Sequence, residues 1–169
     1  MTKKSQSILE LSGMVNISVA VAVRNNDKLL LIKEDEQERK GLWGFPSGKA
    51  KINEQVFQAA EREFLEETGY HIRLISLVSV YYYSTKGVKH SGNISGQDRI
   101  TVRFNFMGEL VGNTRTEVSA PEVLEIAWLA DAEVKKLIET KQLRNWMNVK
   151  FAKEVLTKQS FPLDIVFTK

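Results

Sequence analysis

From Val15 onward the chain alternates. Val15, Ile17, Val19, Val21 and Val23 are set against Asn16, Ser18, Ala20, Ala22 and Arg24, the period-two pattern of a strand with one buried face. Asn25, Asn26 and Asp27 supply turn chemistry, and Lys28 to Lys33 reads as a more fully buried partner strand, so the pair predicts a hairpin. The charged segment from Glu34 to Lys40 reads as a loop, and the Gly- and Pro-rich stretch from Gly41 to Pro46 as irregular chain. Between Glu54 and Thr68 the period changes. Val56, Ala60 and Phe64 recur at i, i+4 and i+8, with Phe57 and Leu65 alongside, which predicts a helix with one core-facing stripe. Asn53 stands as its N-cap and Gly69 as its stop.

Beyond the helix, His71 to Tyr83 predicts a long strand with β-branched and aromatic content. Period two places Tyr81 and Tyr83 on one face and Tyr82 on the other. Ser84 to Asp98, with three glycines and Lys86, Lys89 and His90, reads as a long loop without P-loop spacing, His90 being solvated there. Ile100, Val102, Phe104 and Phe106 alternate with Thr101, Arg103, Asn105 and Met107, a further strand whose polar face carries Arg103 and Asn105 together. Gly112 to Pro121 reads as a second loop and Leu124 to Leu129 as the last strand. Helices follow within 131–158: one capped by Asp131, one carrying Leu143, Met147, Phe151 and Val155 at i+4 steps. Strands around one central helix, with helices at the end, predict an α+β layer fold. At 169 residues, a single domain over 1–169 is expected, with 1–13 polar and either mobile or an edge strand.

Composition narrows the classes. Hydrophobic content of 43% and charged content of 27% are ordinary for a globular protein. No run of eighteen apolar residues and no apolar h-region near the N-terminus occur, so neither a membrane span nor a secretory signal is expected, and the cytoplasm is the default location. The absence of cysteine excludes disulfides, thiolate metal sites and cysteine nucleophiles. The net charge is +3, and Lys33, Arg39, Lys40, Lys49 and Lys51 precede the helix while Lys86, Lys89 and Arg99 follow it. Basic groups around an acidic cluster suit an anionic polyphosphate, and Lys49 is a candidate contact, as any of these is also an ordinary solubilising residue. No basic run with interleaved aromatics points to a nucleic-acid groove.

The chemistry concentrates in Gly48 to Tyr70, GKAKINEQVFQAAEREFLEETGY. Glu63, Glu66 and Glu67 stand at i, i+3 and i+4, so three carboxylates share a patch of the helix and repel one another. A solvated acidic face is the plain reading of such a helix. A hard divalent cation turns the repulsion into binding, because Mg²⁺ favours a few carboxylates together with waters and phosphate oxygens. The spacing decides between these. Gly48, Glu54, Arg62, Glu63, Phe64, Glu66, Glu67, Gly69 and Tyr70 reproduce the signature of the Nudix hydrolase family, MutT-like pyrophosphohydrolases, which this stretch resembles. Its seven fixed positions would be met by chance on the order of once in a million such chains. Phe64 and Tyr70 depart mildly from the usual aliphatic residues, and Ser47 stands where many relatives have a second glycine.

The resemblance implies a mixed β-sheet sandwiched between helices and metal-dependent hydrolysis of a pyrophosphate bond in a nucleoside diphosphate joined to another moiety. It implies Mg²⁺ or Mn²⁺ held by Glu63, Glu66, Glu67 and the Gly48 carbonyl. Arg62, turned by about 100° from Glu63 on the helix, is expected to point away from it and orient Glu54 or a box glutamate. For the general base the resemblance leaves Glu67, Glu66 or a later glutamate open, with Glu122 first and Glu117 or Glu125 as alternatives. Arg103 and Asn105 are candidates to grip phosphate or base if their face lines the cleft, and Tyr81 is the tyrosine of the trio offered to substrate. Trp43 and Phe45 read as core, with stacking on a base as the alternative. A nucleotide-sensing module without turnover is the alternative class; isomerases on this fold rely on cysteine, which is absent. Relatives commonly dimerise, which leaves a homodimer open.

Overall fold

The computed structural model describes residues 14–35, 41–85 and 99–166. The expectations for 1–13, for Arg39 and Lys40, and for the loop carrying Lys86, Lys89 and His90 lie outside the described residues. Strands β1 (Met14–Asn25) and β2 (Lys28–Glu34) form the expected hairpin, with Arg24 opposite Leu29 and Asn25 opposite Lys28. Both turn residues are left-handed, Asn26 at φ 46° and Asp27 at φ 60°. The tight two-residue hairpin turn demands that conformation, which Asn and Asp tolerate best among residues with a Cβ.

Two short strands, β3 (Trp43–Gly44) and β4 (Ser47–Lys49), occupy the stretch expected to be irregular. The correction has a simple cause: the ladder groups come from distant chain, β2 for β3 and β1 for β4, which local Gly and Pro content does not register. Helix α1 (Val56–Thr68) starts two residues later than expected. Gln55 is its N-cap and Asn53 sits before it at φ 67°, so Glu54 stays outside the helix with its carboxylate on the Lys51 N–H at 2.8 Å. Gly69 ends α1 at φ 74°, its N–H donating to the Leu65 carbonyl.

Strands β5 (Tyr70–Thr85) and β6 (Arg99–Arg115) follow, then β7 (Val123–Ala130), α2 (Asp131–Glu139), α3 (Trp146–Leu156) and a 3₁₀ turn at Leu163–Ile165. β6 runs through Gly112 to Arg115, where a loop was expected, because β5 offers a partner as far as Tyr70 opposite Arg115. Asp131 is the first residue of α2 rather than its cap; its carboxylate takes Arg24 at 2.8 Å. Leu143 precedes α3 and forms an isolated bridge with Trp43, so the i+4 stripe outruns the helix.

The strand order is β3-β2-β1-β6-β5, with β4 added on β1 and β7 on β2. β1 and β6 are parallel and the other pairs antiparallel, which makes the sheet mixed. Helices lie on both faces. Val19, Val21 and Val23 pack with Ala60 and Phe64 of α1, while Ala20 and Ala22 pack with Val134 of α2 and Phe151 of α3. β1 is therefore buried on both faces, at 0–1% exposure from Val19 to Val23, and not on one. Small alanines let the second helix layer approach a strand whose other face is already covered.

Candidate active site

Toward the start of β1 and β6 the face beneath α3 turns polar. The register sets Asn16 beside Thr101 and Ser18 beside Arg103, and β5 adds Tyr83 opposite Thr101. These side chains floor a cleft of about 430 Å³, within the ~300–1,000 Å³ range of small-ligand sites. One wall is the box, with Ser47, Gly48, Lys49, Glu63 and Glu67; Arg144, Asn145 and Asn148 bring the C-terminal part of the chain to the other. Glu122 also lines the cleft. It is carried there by a loop fastened to the end of α1, where the Ser119 and Ala120 N–H groups donate to the Glu66 carbonyl and Thr116 N–H to that of Gly69.

Glu67 is the most buried of the box carboxylates. It is 5% exposed, and the Ser47 N–H donates to it at 2.7 Å. Burial pushes its carboxyl well above the ordinary value against the pull of that hydrogen bond; the charges of Glu63 and Glu122 push it further and Arg103 draws it back. Glu63 lies against Gly48, where an added Cβ would fall 2.0 Å from the Glu63 carboxyl carbon. Only glycine leaves that space.

Arg62 does not point away from Glu63. Its Nη1 donates to Glu63 at 2.8 Å and to Glu66 at 3.0 Å, its Nε and Nη2 take both oxygens of Glu54 at 2.6 and 2.9 Å, and Nη2 also reaches the Lys49 carbonyl. The 100° step between adjacent Cα atoms is outweighed by the length of the guanidinium arm, which folds back over its own helix. That hydrogen bonding holds Glu54 down to about 2 and Arg62 above its ordinary value.

The sequence-predicted residues separate in space. Glu63, Glu67, Gly48, Lys49, Arg103 and Glu122 line one cleft. Glu66 stands beside it, half-exposed and paired with Arg62. Asn105 is fully buried beneath the floor, accepting from Arg103 Nε at 2.9 Å. Tyr81 is turned beneath α3, where its hydroxyl donates to Glu154 at 2.5 Å, and Tyr83 lines the cleft in its place. Glu125 pairs with Lys33 at the surface, away from the cleft. Phe45 is core, its ring 4.7 Å from that of Phe151.

Sequence reasoning missed Glu34, Ser47, Arg144 and Asn148. Arg144 forms a buried ion pair with Glu34, and its Nη2 donates to the Phe45 carbonyl at 2.5 Å and to Ser47 Oγ at 3.3 Å. Burial lowers this guanidinium to about 10. Gly44 makes room for it, since a Cβ there would meet Arg144 Nε at 2.0 Å. Asn148 accepts the Phe45 N–H at 3.1 Å. So residues a hundred positions downstream hold the strand ends from which Ser47 donates to Glu67, and no local signal marks them.

The model of the NUDIX domain matches residues 14–149. The chain belongs to the NUDIX family. It is similar to the human 8-oxo-dGDP phosphatase NUDT18, 36% identical over 64 residues, which are 38% of this chain and 20% of that protein. It is similar also to an ADP-ribose pyrophosphatase of Methanocaldococcus jannaschii, 35% identical over 65 residues, 38% of each chain. Each alignment thus spans well under half of the relative. A solved NUDIX hydrolase from Nitrosomonas europaea superposes with a TM-score of 0.74 at 24% identity, covering 91% of this chain and 97% of that one. The mixed sheet between helices is therefore the NUDIX fold. Among the described residues no helix is long and apolar enough to cross a membrane.

The donor set suits a hard divalent cation. Glu63 and Glu67 line the cleft beside Gly48, and the repulsion that Glu63 and Glu122 exert on Glu67 is what a cation relieves. Among the described residues no three such groups are already gathered into a shell, as Arg62 holds Glu63 and Glu66.

Proposed function

We propose that this NUDIX protein hydrolyses a pyrophosphate bond in a nucleoside diphosphate linked to another moiety, with Mg²⁺ or Mn²⁺ as cofactor. The observation that carries the reading is the buried Glu67 fixed by the Ser47 N–H in a cleft shared with Glu63, Glu122 and Arg103. Glu63, Glu66, Glu67 and the Gly48 carbonyl would hold the cation, which supplies charge neutralisation on the phosphate oxygens and a more acidic attacking water. Arg103 and Lys49 bind the anionic phosphates from the floor and the wall. A carboxylate takes the proton as the water oxygen bonds to phosphorus and the anhydride P–O bond breaks. Glu122 fits that role through its place in the cleft and the loop that holds it there, and Arg62 holds the Glu63 and Glu66 carboxylates in place.

The relatives' names, an 8-oxo-dGDP phosphatase and an ADP-ribose pyrophosphatase, share a nucleoside diphosphate and differ in what is attached to it. That common part is the proposed substrate class. The test is a panel of nucleoside diphosphates, triphosphates and ADP-sugars incubated with Mg²⁺ or Mn²⁺, with released phosphate and nucleotide quantified beside Glu67→Gln. Turnover that needs the metal and is lost in the variant supports the reading; tight binding with no turnover by the wild type replaces it with a nucleotide sensor.

A further inference from the structure

Behind the cleft floor a row of polar side chains runs through the layer between β5, β6 and α3. Arg103 Nε donates to Asn105 Oδ1 at 2.9 Å, Asn105 Nδ2 to Ser79 Oγ at 3.1 Å, and Ser79 Oγ to Glu154 Oε2 at 2.7 Å. Tyr81 donates to the same Glu154 oxygen, and Lys150, half in solvent, donates to the other at 2.5 Å. The register explains the alignment, because Asn105 stands opposite Ser79 and Arg103 opposite Tyr81 on the face that α3 covers.

Such a row is an expensive way to fill a layer. Asn105 is fully buried, Arg103 is 6% exposed and Glu154 8%, while Ala20, Ala22 and Val78 fill the neighbouring space with apolar groups. Burying a carboxylate and a guanidinium is unfavourable unless each is well hydrogen-bonded, and apolar replacements of equal volume are often as stable. What the row provides is direction. It begins at Glu154 on α3 and ends at Arg103 on the cleft floor.

We infer that Glu154 and Ser79 are positioning residues: through Asn105 they fix the Arg103 guanidinium on the cleft floor to receive an anionic phosphate group of the substrate. The inference rests on the hydrolase reading for the identity of that group. Neither Glu154 nor Ser79 lines the cleft, so neither touches substrate directly, and the row is the hydrogen-bonded route from them to Arg103.

The experiment measures KM and kcat on the best substrate of the panel, and Kd for inorganic pyrophosphate with Mg²⁺, for Ser79→Ala and Glu154→Ala, each alone and in an Arg103→Met background. The single variants are expected to raise KM and Kd about 5-fold or more, in line with coupling inside one hydrogen-bonded network, with kcat within about 2-fold. In the Arg103→Met background they are expected to add nothing, and Ser79→Thr, which keeps the hydroxyl, restores the wild-type Kd. Unchanged KM and Kd with only a lowered Tm would make the row structural and overturn the inference. So would an effect that persists in full without Arg103. Should Glu154→Ala fail to fold, the Ser79 pair decides alone. A wild type that binds pyrophosphate but hydrolyses nothing defeats the hydrolase reading, and the Kd series still judges the row. A wild type that binds no pyrophosphate overturns both.

Discussion

One sheet face carries two chemistries. Under α2 and α3, β1 presents Ala20 and Ala22, and Phe45, Val134 and Phe151 close over them in a dry cluster. A few residues toward the start of the same strand, Asn16 and Ser18 stand beside Thr101 and Arg103, and the face opens into the cleft. The pleat and spacing do not change between the two halves. What changes is which side chains the parallel β1–β6 ladder places next to each other, so the boundary between core and active site is set by residue identity along two strands. Changes in the polar half should cost activity and spare the fold, and changes in the apolar half should do the reverse.

The largest effect is expected at Glu67. Glu67→Gln should lower kcat by about 10³-fold or more, the scale of removing a general base or metal ligand, while Tm at neutral pH rises. The sign follows from its raised carboxyl value in the fold: that group favours the folded state at low pH, and the gain is lost as pH rises from the ordinary 4.5 through the folded value. Melting curves from pH 5 to 8 should show the variant gaining on the wild type as pH rises; a variant less stable throughout would break the contrast. Next comes Phe151→Ala in the dry half, fully buried against Phe45. It should cost about 3–5 kcal/mol in urea unfolding, with KM unchanged for the folded fraction. Gly48→Ala returns to the wet half. Its Cβ would fall 2.0 Å from the Glu63 carboxyl carbon, and only that flexible carboxylate need move. Activity should fall about 10²-fold, some 2.7 kcal/mol of transition-state stabilisation, with unfolding free energy changed by less than about 1 kcal/mol.

How much of this the sequence carries depends on the range over which each feature is encoded. The hairpin, α1 and the alternation along β6 are local patterns, and the structure keeps them. The glutamate spacing is equally local, and it brings Glu63 and Glu67 to the cleft wall. Burial of β1 on both faces is not readable from alternation, because alanine is apolar enough for a core and small enough to resemble a neutral outward position. β3 and β4 escape for a related reason, being strands only by virtue of partners that precede them in β1 and β2. The Arg144 clamp on Phe45 and Ser47 joins residues about a hundred positions apart, so nothing near either end marks it. Tyr81 and Tyr83 share a face as period two requires, and only the position of α3 decides that Tyr81 is covered by Glu154 while Tyr83 reaches the cleft.

The smallest expected effect tests whether Arg62 belongs to the fold or to the site. Its guanidinium joins Glu54, outside the helix, to Glu63 and Glu66 within it, at side-chain exposures of 14–41%. Glu54 does not line the cleft, so Glu54→Gln probes the structural side of that junction alone. The Arg62 hydrogen bond holds Glu54 down to about 2 against an ordinary 4.5, so its stabilisation is complete above 4.5 and is lost as pH falls toward 2. The substitution should lower stability by about 1 kcal/mol at neutral pH, the upper end for a partly exposed pair. The gap from wild type should close across that acid window. Because Arg62 keeps Glu63 and Glu66, kcat should fall only a few-fold, against about 10²-fold for Gly48→Ala. A large loss of kcat in Glu54→Gln, with stability unchanged, would mean that the guanidinium's hold on the box glutamates depends on Glu54, and the line between the scaffold and the polar half would then run through Arg62 itself.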